Sequence, residues 1–162
     1  MKFTLIYPNQ LFYNHPAISK NQQIVLVEDP LFFGDTQYPL KFHKKKIVLH
    51  LASIESFKKE LIDRGYSVIK YNYSDLIEKN HNIKLLKSLK ATEISLARVV
   101  DYTLEKRLVK AAKYLKIKIN WFETPGFFLN AEEVVENFGK KKKYLMNSFY
   151  INQRKKLNIL LD

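Results

Sequence analysis

Five short runs of β-branched and aromatic residues alternate with longer stretches of helical periodicity, and this alternation limits the possible folds more than any other feature. Strands separated by helices are typical of a parallel sheet, because each parallel pair needs a long crossover connection. We therefore predict an α/β, Rossmann-like, doubly wound five-stranded parallel sheet with flanking helices. The predicted strands are residues 3–7, 24–28, 67–71, 93–97 and 118–122.

Two of the helical stretches are long enough to cover a sheet. Residues 42–64 repeat apolar side chains at helical spacing and are followed by Gly65, a residue that often ends a helix. Residues 102–116 repeat the pattern, and between the two stretches Ser74 or Asp75 is expected to cap a broken helix. The apolar stripes are Ile47, Leu51, Ile54, Phe57 and Leu61 in the first stretch, and Leu104, Leu108, Ala111, Ala112 and Leu115 in the second.

Composition limits the cellular setting and the partners. The chain has 28 Lys and Arg against 16 Asp and Glu, a formal charge of +12, so a DNA-binding basic surface is one expectation. The absence of cysteine excludes disulfides and thiolate metal sites and fits a reducing, cytoplasmic compartment. The N-terminal apolar run stops at Pro8, too early for a membrane span, and we expect a soluble protein without membrane contact.

The pattern changes after the fifth predicted strand, where residues 124–126 (Thr-Pro-Gly) interrupt the chain. Asn130 is expected to cap a short helix over residues 131–138. We predict that the α/β domain comprises residues 1–138 and ends with this helix.

The remaining residues, 139–162, are predicted to begin an interdomain linker. Gly139 and the lysines at 140–143 suggest a hinge, and residues 144–161 suggest an amphipathic helix. Such a helix needs a partner surface, and a second copy in a homodimer would provide one. Its apolar side chains are Leu145, Phe149, Leu157 and Leu160.

Several kinds of catalytic site have no counterpart in the sequence. There is no glycine-rich phosphate loop of the Rossmann or Walker type, no Gly-x-Ser-x-Gly elbow and no cysteine nucleophile. No recognisable spacing of metal ligands repeats, so we predict neither a metal site nor a catalytic residue.

Polar residues follow the first two predicted strands, at the edge where parallel sheets bind ligands. Asn9 and Gln10 have amides that can bond a polar heterocycle, or they only close a turn. Glu28 and Asp29 precede an aromatic loop over residues 31–35. Carboxylates beside stackable rings suit a planar ligand with N–H donors, and the alternative is a helix N-cap.

Two histidines and one further carboxylate complete the candidate site. His43 and His50 are seven residues apart on the first long helix, on the face of Ile47 and Leu51, so both are expected to point inward. His43, at the helix start, is favoured as a ligand contact, whereas His50 is more often a packing residue. Asp101 follows the fourth strand and either contacts a ligand or caps the next helix.

Residues 27–47 form the block of sequence that carries a resemblance to a known family. It reads Val-Glu-Asp-Pro-Leu-Phe-Phe-Gly-Asp, then Tyr-Pro-Leu-Lys-Phe-His-Lys-Lys-Lys-Ile after two intervening residues, and Asn9-Gln10-Leu11 precedes it. Residues 61–66 follow it (Leu-Ile-Asp-Arg-Gly-Tyr). The sequence resembles the deoxyribodipyrimidine photolyase-related family of the cryptochrome/photolyase superfamily, along nearly its whole length to Leu160 and Leu161.

The resemblance implies an N-terminal antenna domain. In such proteins a helical domain carries the flavin adenine dinucleotide, the DNA-lesion pocket and, in one branch, an iron–sulfur cluster, so this chain is expected to need that domain as partner and not to repair DNA alone. The implied antenna dye is a ribityllumazine, a folate or a deazaflavin. The matching turns place Asn9, Gln10, Glu28, Asp29, His43, His50 and Asp101 around it.

Two other functions fit the residues. One is a stand-alone basic Rossmann-like module that binds nucleic acid or a nucleotide without light. The other is a subunit that only docks to another chain through its C-terminal helix. Asn9 stands where many relatives have Asp, and the loop over residues 31–40 is longer and more aromatic than in lumazine-binding relatives.

Overall fold

The sheet is five-stranded and all-parallel, as predicted. The computed structural model describes residues 1–139, 143 and 145–161. The strand order is β3-β2-β1-β4-β5, so β1 lies at the centre between β2 and β4. Each strand lies within one residue of its predicted bounds. The strands are β1 Lys2–Ile6, β2 Gln23–Val27, β3 Val68–Tyr71, β4 Glu93–Ala97 and β5 Lys118–Phe122.

Helices connect most of these strands. The two long predicted helices are present within two residues of their expected ends, whereas the four-residue helix α1 was expected to be loop. The helices are α1 Pro30–Phe33, α2 Lys44–Asp63, α3 His81–Ser88, α4 Tyr102–Leu115, α5 Ala131–Phe138 and α6 Met146–Leu157, with a 3₁₀ turn at Tyr73–Asp75.

The broken helix between β3 and β4 begins differently from the prediction. Neither Ser74 nor Asp75 is its N-cap: Asn72 precedes the 3₁₀ turn, and Asp75 is the third residue of a capping box with Asn72. Asn80 precedes α3 in the left-handed conformation, with φ of 64°. Asn is among the few residues that tolerate this backbone, which explains why the chain can interrupt the helix here.

The connection from β1 to β2 contains no helix. Its backbone is held to the sheet by Thr4, whose Oγ1 donates to the carbonyl oxygen of Ala17 at 3.0 Å. Leu11 and Ile18 of the connection pack against the apolar cluster under α2. The connection therefore covers part of the sheet face that a crossover helix covers in other doubly wound folds.

The two faces of the sheet carry separate apolar cores. On one face, α3 and α4 pack on β1, β2 and β4; on the other, α2 packs on β1 and β2. Removal of this apolar surface from water is the main stabilising term of the fold. The smaller core consists of Ile6, Ile24, Leu26, Ile54, Phe57 and Leu61.

Helix α2 is buried only in its second half. Ile54, Phe57 and Leu61 are buried, but Ile47 is half-buried and Leu51 is 38% exposed. The prediction that His43 points inward is also wrong, because His43 is the exposed N-cap before the helix. The apolar stripe continues beyond the stretch of helix that lies on the sheet.

The chain divides into two compact units, Met1–Pro125 and the described part of Gly126–Asp162. In the second unit, Asn130 caps α5 as predicted and forms a capping box with Glu133. The rings of Phe138 and Phe149 lie 4.7 Å apart, and neither α5 nor α6 contains a buried residue. Both helices lie in one unit, so the domain boundary at residues 138 and 139 stays a prediction.

The predicted linker helix is shorter than expected. Helix α6 ends at Leu157, because Asn158 adopts the left-handed conformation, and Leu160 lies beyond it. Residues 140–142 of the predicted hinge and residue 144 fall outside the described residues. In the described part of the chain, no helix combines the length and hydropathy needed to cross a membrane.

Candidate functional site

The carboxyl ends of the strands form the edge at which open parallel sheets bind ligands, and the crevice lies where the strand order reverses. In this sheet that crevice is between β1 and β4. Gln10 closes it: its Nε2 donates to the carbonyl oxygens of Ala97 at 3.0 Å and Arg98 at 3.3 Å. The side chain is buried, so its amide joins two strand ends within the protein.

Glu28, at the end of β2, is bound on both carboxylate oxygens. Its Oε1 accepts from Lys70 Nζ at 3.0 Å, and its Oε2 accepts from the backbone N–H of Tyr73 at 2.8 Å. Lys70 also pairs with Glu55 of α2. The carboxylate therefore ties the end of β2 to β3 and to the 3₁₀ turn.

Asp29 is fully buried and also has partners on both oxygens. Oδ1 accepts from the N–H of Leu31 at 3.0 Å and caps α1, while Oδ2 lies 2.8 Å from His81 Nε2. Burial raises the pKa of the nearby Tyr7 hydroxyl, and the charge of Asp29 raises it further. We call Glu28, Asp29, Lys70 and His81 the β2-end cluster.

His43 and Asp101 act as helix N-caps. His43 Nδ1 accepts from the N–H of Lys45 at 3.2 Å, and Asp101 Oδ1 accepts from the N–H of Leu104 at 2.9 Å. Both residues are exposed. Each side chain satisfies one of the N–H groups that a helix leaves free at its start.

A groove of about 710 Å³ lies between the start of the β1–β2 connection and α2. We call it the β1 groove. Of the seven predicted site residues, it brings together Asn9 and His50. Its lining residues are Pro8, Asn9, Leu11 and Phe12 from the connection, and Leu49, His50, Ala52, Ser53, Ser56, Phe57 and Glu60 from α2.

His50 presents an unused nitrogen in this region. Its Nε2 is buried and has no hydrogen-bond partner among the described residues. The rings of Phe32 and Phe33, which belong to the predicted aromatic loop, meet the imidazole in edge-to-face arrangements, with centroids 5.9 and 6.0 Å from its own. Burial lowers the pKa of His50, and the positive charge of Lys46 lowers it further. A neutral imidazole offers one donor and one acceptor, so His50 can bond a heterocycle.

A further polar group was not predicted from the sequence. Arg107 donates from Nη1 and Nη2 to the two oxygens of Asp35, at 2.5 and 3.0 Å, and from Nη2 to Gln37 Oε1 at 2.8 Å. The N–H groups of Gln37 and Tyr38 donate to Asp35 Oδ1. The Arg107 hydrogen bonds are the main cause that lowers the pKa of Asp35 to about 2. We call Asp35, Gln37, Tyr38 and Arg107 the Arg107 clamp.

The missed residues have one feature in common. Arg107 is 72 residues from Asp35, and His81 is 52 residues from Asp29, so no local pattern joins either pair. The only sequence signal was the position of Arg107, one turn beyond residues 98–102, which follow the fourth strand. Among the described residues, no group of three His, Asp or Glu side chains is placed to hold a metal ion.

Comparison with known proteins identifies the family. A profile described as deoxyribodipyrimidine photo-lyase-related protein matches residues 4–162. The chain belongs to this family. An uncharacterized protein of Acanthamoeba polyphaga mimivirus is 30% identical over 175 residues, covering 98% of this chain and 84% of the viral protein.

The family block over residues 27–47 has a clear place in the fold of this photo-lyase-related chain. It runs from the end of β2 through α1 and the Arg107 clamp to the first turn of α2. The block thus supplies the carboxylates of the β2-end cluster and leads into the helix that forms one side of the β1 groove.

Proposed function

We propose that this domain holds an antenna chromophore for a photolyase-related protein, and that the dye binds in the β1 groove. The observation that carries the proposal is the groove itself, which begins at Pro8 and Asn9 just beyond the carboxyl end of β1 and has two polar groups available. Asn9 makes no side-chain hydrogen bond to another described residue, and His50 Nε2 has no partner there. The other five predicted contacts already bond groups in the protein, and Gln10, whose Oε1 has no partner among the described residues, does not line the groove.

The groove suits a planar dye in size and chemistry. Small-molecule pockets occupy a few hundred to about 1,000 Å³ and combine apolar walls with a few polar groups. Leu11, Phe12 and Leu49 supply apolar wall, while Asn9 and His50 supply donors and acceptors for the edge of a heterocycle. A ribityllumazine, a folate and a deazaflavin all have such an edge.

The protein's task in this function is positioning. A bound antenna dye absorbs light and passes the energy on, which requires a fixed orientation and no bond-making by the domain. The partner in this proposal is a helical domain that binds flavin adenine dinucleotide. The β1–β2 connection and α2 hold the dye from two sides. The packing of α2 on the sheet through Ile54, Phe57 and Leu61 keeps the distance between α2 and the connection fixed.

Titration tests the proposal directly. Fluorescence polarisation of a ribityllumazine, a methenyl-folate and a deazaflavin is measured with the full chain, Asn9→Ala and His50→Phe. Loss of one neutral hydrogen bond is expected to weaken binding about 2- to 10-fold in each variant.

Asn21→Ala is the matched control, since Asn21 is an exposed amide before β2, outside the groove. It should bind the dye as tightly as the wild type. Failure of all three dyes to bind, or equal weakening by Asn9→Ala and Asn21→Ala, contradicts the proposed site.

A further inference from the structure

A second surface, separate from the β1 groove, carries an uncompensated positive charge. No acidic residue occurs from residue 36 to residue 54. Lys41, Lys44 and Lys45 are exposed and take part in none of the ion pairs among the described residues. Lys44 and Lys45 also lie at the start of α2, where the helix dipole is positive. An anionic partner removes the mutual repulsion of these charges.

Tyr38, three residues before Lys41, is exposed and yet held in place. The residue is 53% exposed, while its backbone N–H donates to Asp35 Oδ1 at 2.9 Å. The guanidinium of Arg107 lies 5.2 Å from the ring centroid, and both of its terminal nitrogens are bound by Asp35. A ring fixed in this way loses little conformational freedom when a flat partner stacks on it.

Further basic residues lie around a cavity beside the Arg107 clamp. A cavity of about 160 Å³ is lined by Gln37, Arg107, Lys79 and Lys110, together with Asn82. Asn82 is 3% exposed, and its Oδ1 has no partner among the described residues. Of the two acids in the lining, Asp35 is bound by Arg107 and Glu78 pairs with Lys84. Tyr38 thus directly follows Gln37 of the cavity lining, contacts Arg107 of the same lining, and precedes Lys41 by three residues.

We infer that single-stranded nucleic acid binds along this surface, with no requirement for a particular sequence or lesion. Lysine side chains would neutralise phosphates, and Tyr38 would stack with a base. Exposed Leu40, next to Lys41, also suits an anionic membrane. The fixed ring and the amide-lined cavity favour bases over lipid, and stacking on Tyr38 requires the unpaired bases of a single strand.

The lysines are tested by salt dependence. Fluorescence anisotropy of a labelled 20-nucleotide oligo-dT is measured with the full chain between 50 and 200 mM salt. The triple variant Lys41→Gln, Lys44→Gln, Lys45→Gln is expected to lower the slope of log K against log salt by about 2, since each phosphate contact contributes about 0.7.

The matched control is Lys20→Gln, Lys90→Gln, Lys113→Gln. It removes the same charge from exposed positions near the amino ends of the strands and should leave the slope unchanged. Equal slopes for the two triple variants would overturn the inference.

The ring is tested by two substitutions. Tyr38→Ala is expected to weaken oligo-dT binding about tenfold, and Tyr38→Phe to restore it to within about twofold. Circular dichroism checks that both variants fold. No binding at 50 mM salt, unchanged affinity of Tyr38→Ala, tighter binding to a 20-base-pair duplex, or binding to phosphatidylserine vesicles without oligo-dT binding would each overturn it.

Discussion

The β2-end cluster and the β1 groove both include polar residues that closely follow a strand, Asp29 after β2 and Asn9 after β1. In the cluster, every carboxylate oxygen of Glu28 and Asp29 has a partner in the protein. In the groove, Asn9 and His50 keep free hydrogen-bonding groups. A polar residue after a strand is therefore an ambiguous signal, because tertiary partners decide whether it holds the fold together or remains available to a ligand.

The largest expected effect is on the cluster side. Asp29→Ala removes the N-cap of α1 and leaves His81 Nε2 buried without its partner, so the free energy of unfolding should fall by about 3 kcal/mol. Urea denaturation measures it. Asp101→Ala, at an exposed N-cap, should lower the free energy of unfolding by only about 1 kcal/mol. Equal losses in the two variants would show that the buried contact of Asp29 with His81 adds nothing to the N-cap.

The wall of the groove should be sensitive to acid. His15 stacks on Phe12, and burial lowers its pKa from 6.5 to about 4. The unfolded state binds a proton more readily, so stability should fall by about 3 kcal/mol as the pH drops from 7 to 4. His15→Asn keeps an acceptor for the N–H of Ala17 and should abolish this part of the loss. Denaturation at several pH values measures this loss of stability. A stability profile in the variant that matches the wild type would contradict the expectation.

The Arg107 clamp should respond to pH in a lower range. Arg107 lowers the pKa of Asp35 from 3.8 to about 2, so this pair stabilises the fold above pH 4 and stops doing so as the pH falls through 2. The contribution is about 2 kcal/mol. Asp35→Asn should show a flatter stability profile between pH 4 and pH 2 in thermal melts. A profile as steep as that of the wild type would show that other carboxyls cause the loss.

Three variants compare the β2-end cluster with the β1 groove directly. Glu28→Gln should lower the free energy of unfolding by about 1.5 kcal/mol, because it weakens a charged tie to Lys70. Asn9→Ala and His50→Phe should change it by less than about 0.5 kcal/mol. Chemical denaturation measures all three. A large loss in Asn9→Ala would mean that the groove residue is structural after all.

Removal of the last helix, α6, is expected to have the smallest effect on the free energy of unfolding. A chain ending at Phe138 should unfold within about 0.5 kcal/mol of the full chain, because no side chain of α6 is buried. Amides of α6 should exchange faster than those of the sheet unless the chain self-associates, which light scattering detects. Protection of α6 equal to that of the sheet in a monomer would place the predicted domain boundary too early.

The sequence was sufficient for the features that depend on local patterns. Short apolar runs located all five strands, and Asn130 located the start of α5. Local patterns failed where a boundary depends on one backbone conformation, as at Asn80 and Asn158, or where burial depends on how far a helix extends past the sheet. The stripe of α2 continues to Ile47 in sequence, but the sheet stops supporting it earlier.

The candidate site was less predictable for the same physical reason. Sequence placed the polar residues at the correct edge, but it could not show that His81 bonds Asp29 or that Gln10 spans to Ala97. These bonds join residues that are far apart in the chain, and their geometry exists only after the sheet has formed. Whether the seven residues contact a dye stays a prediction.

The central position of β1 has a consequence for how a cell makes this protein. Phe3 pairs with Gln23 on one side and with Ile94 on the other. A ribosome adds about 5 to 20 residues per second, so the second neighbour follows the first after roughly 4 to 14 seconds. During that interval one side of β1 is an unpaired edge that can join the wrong strand. Synonymous codons that slow translation between β2 and β4 would prolong this exposure and lower the yield of folded protein without altering a single amino acid.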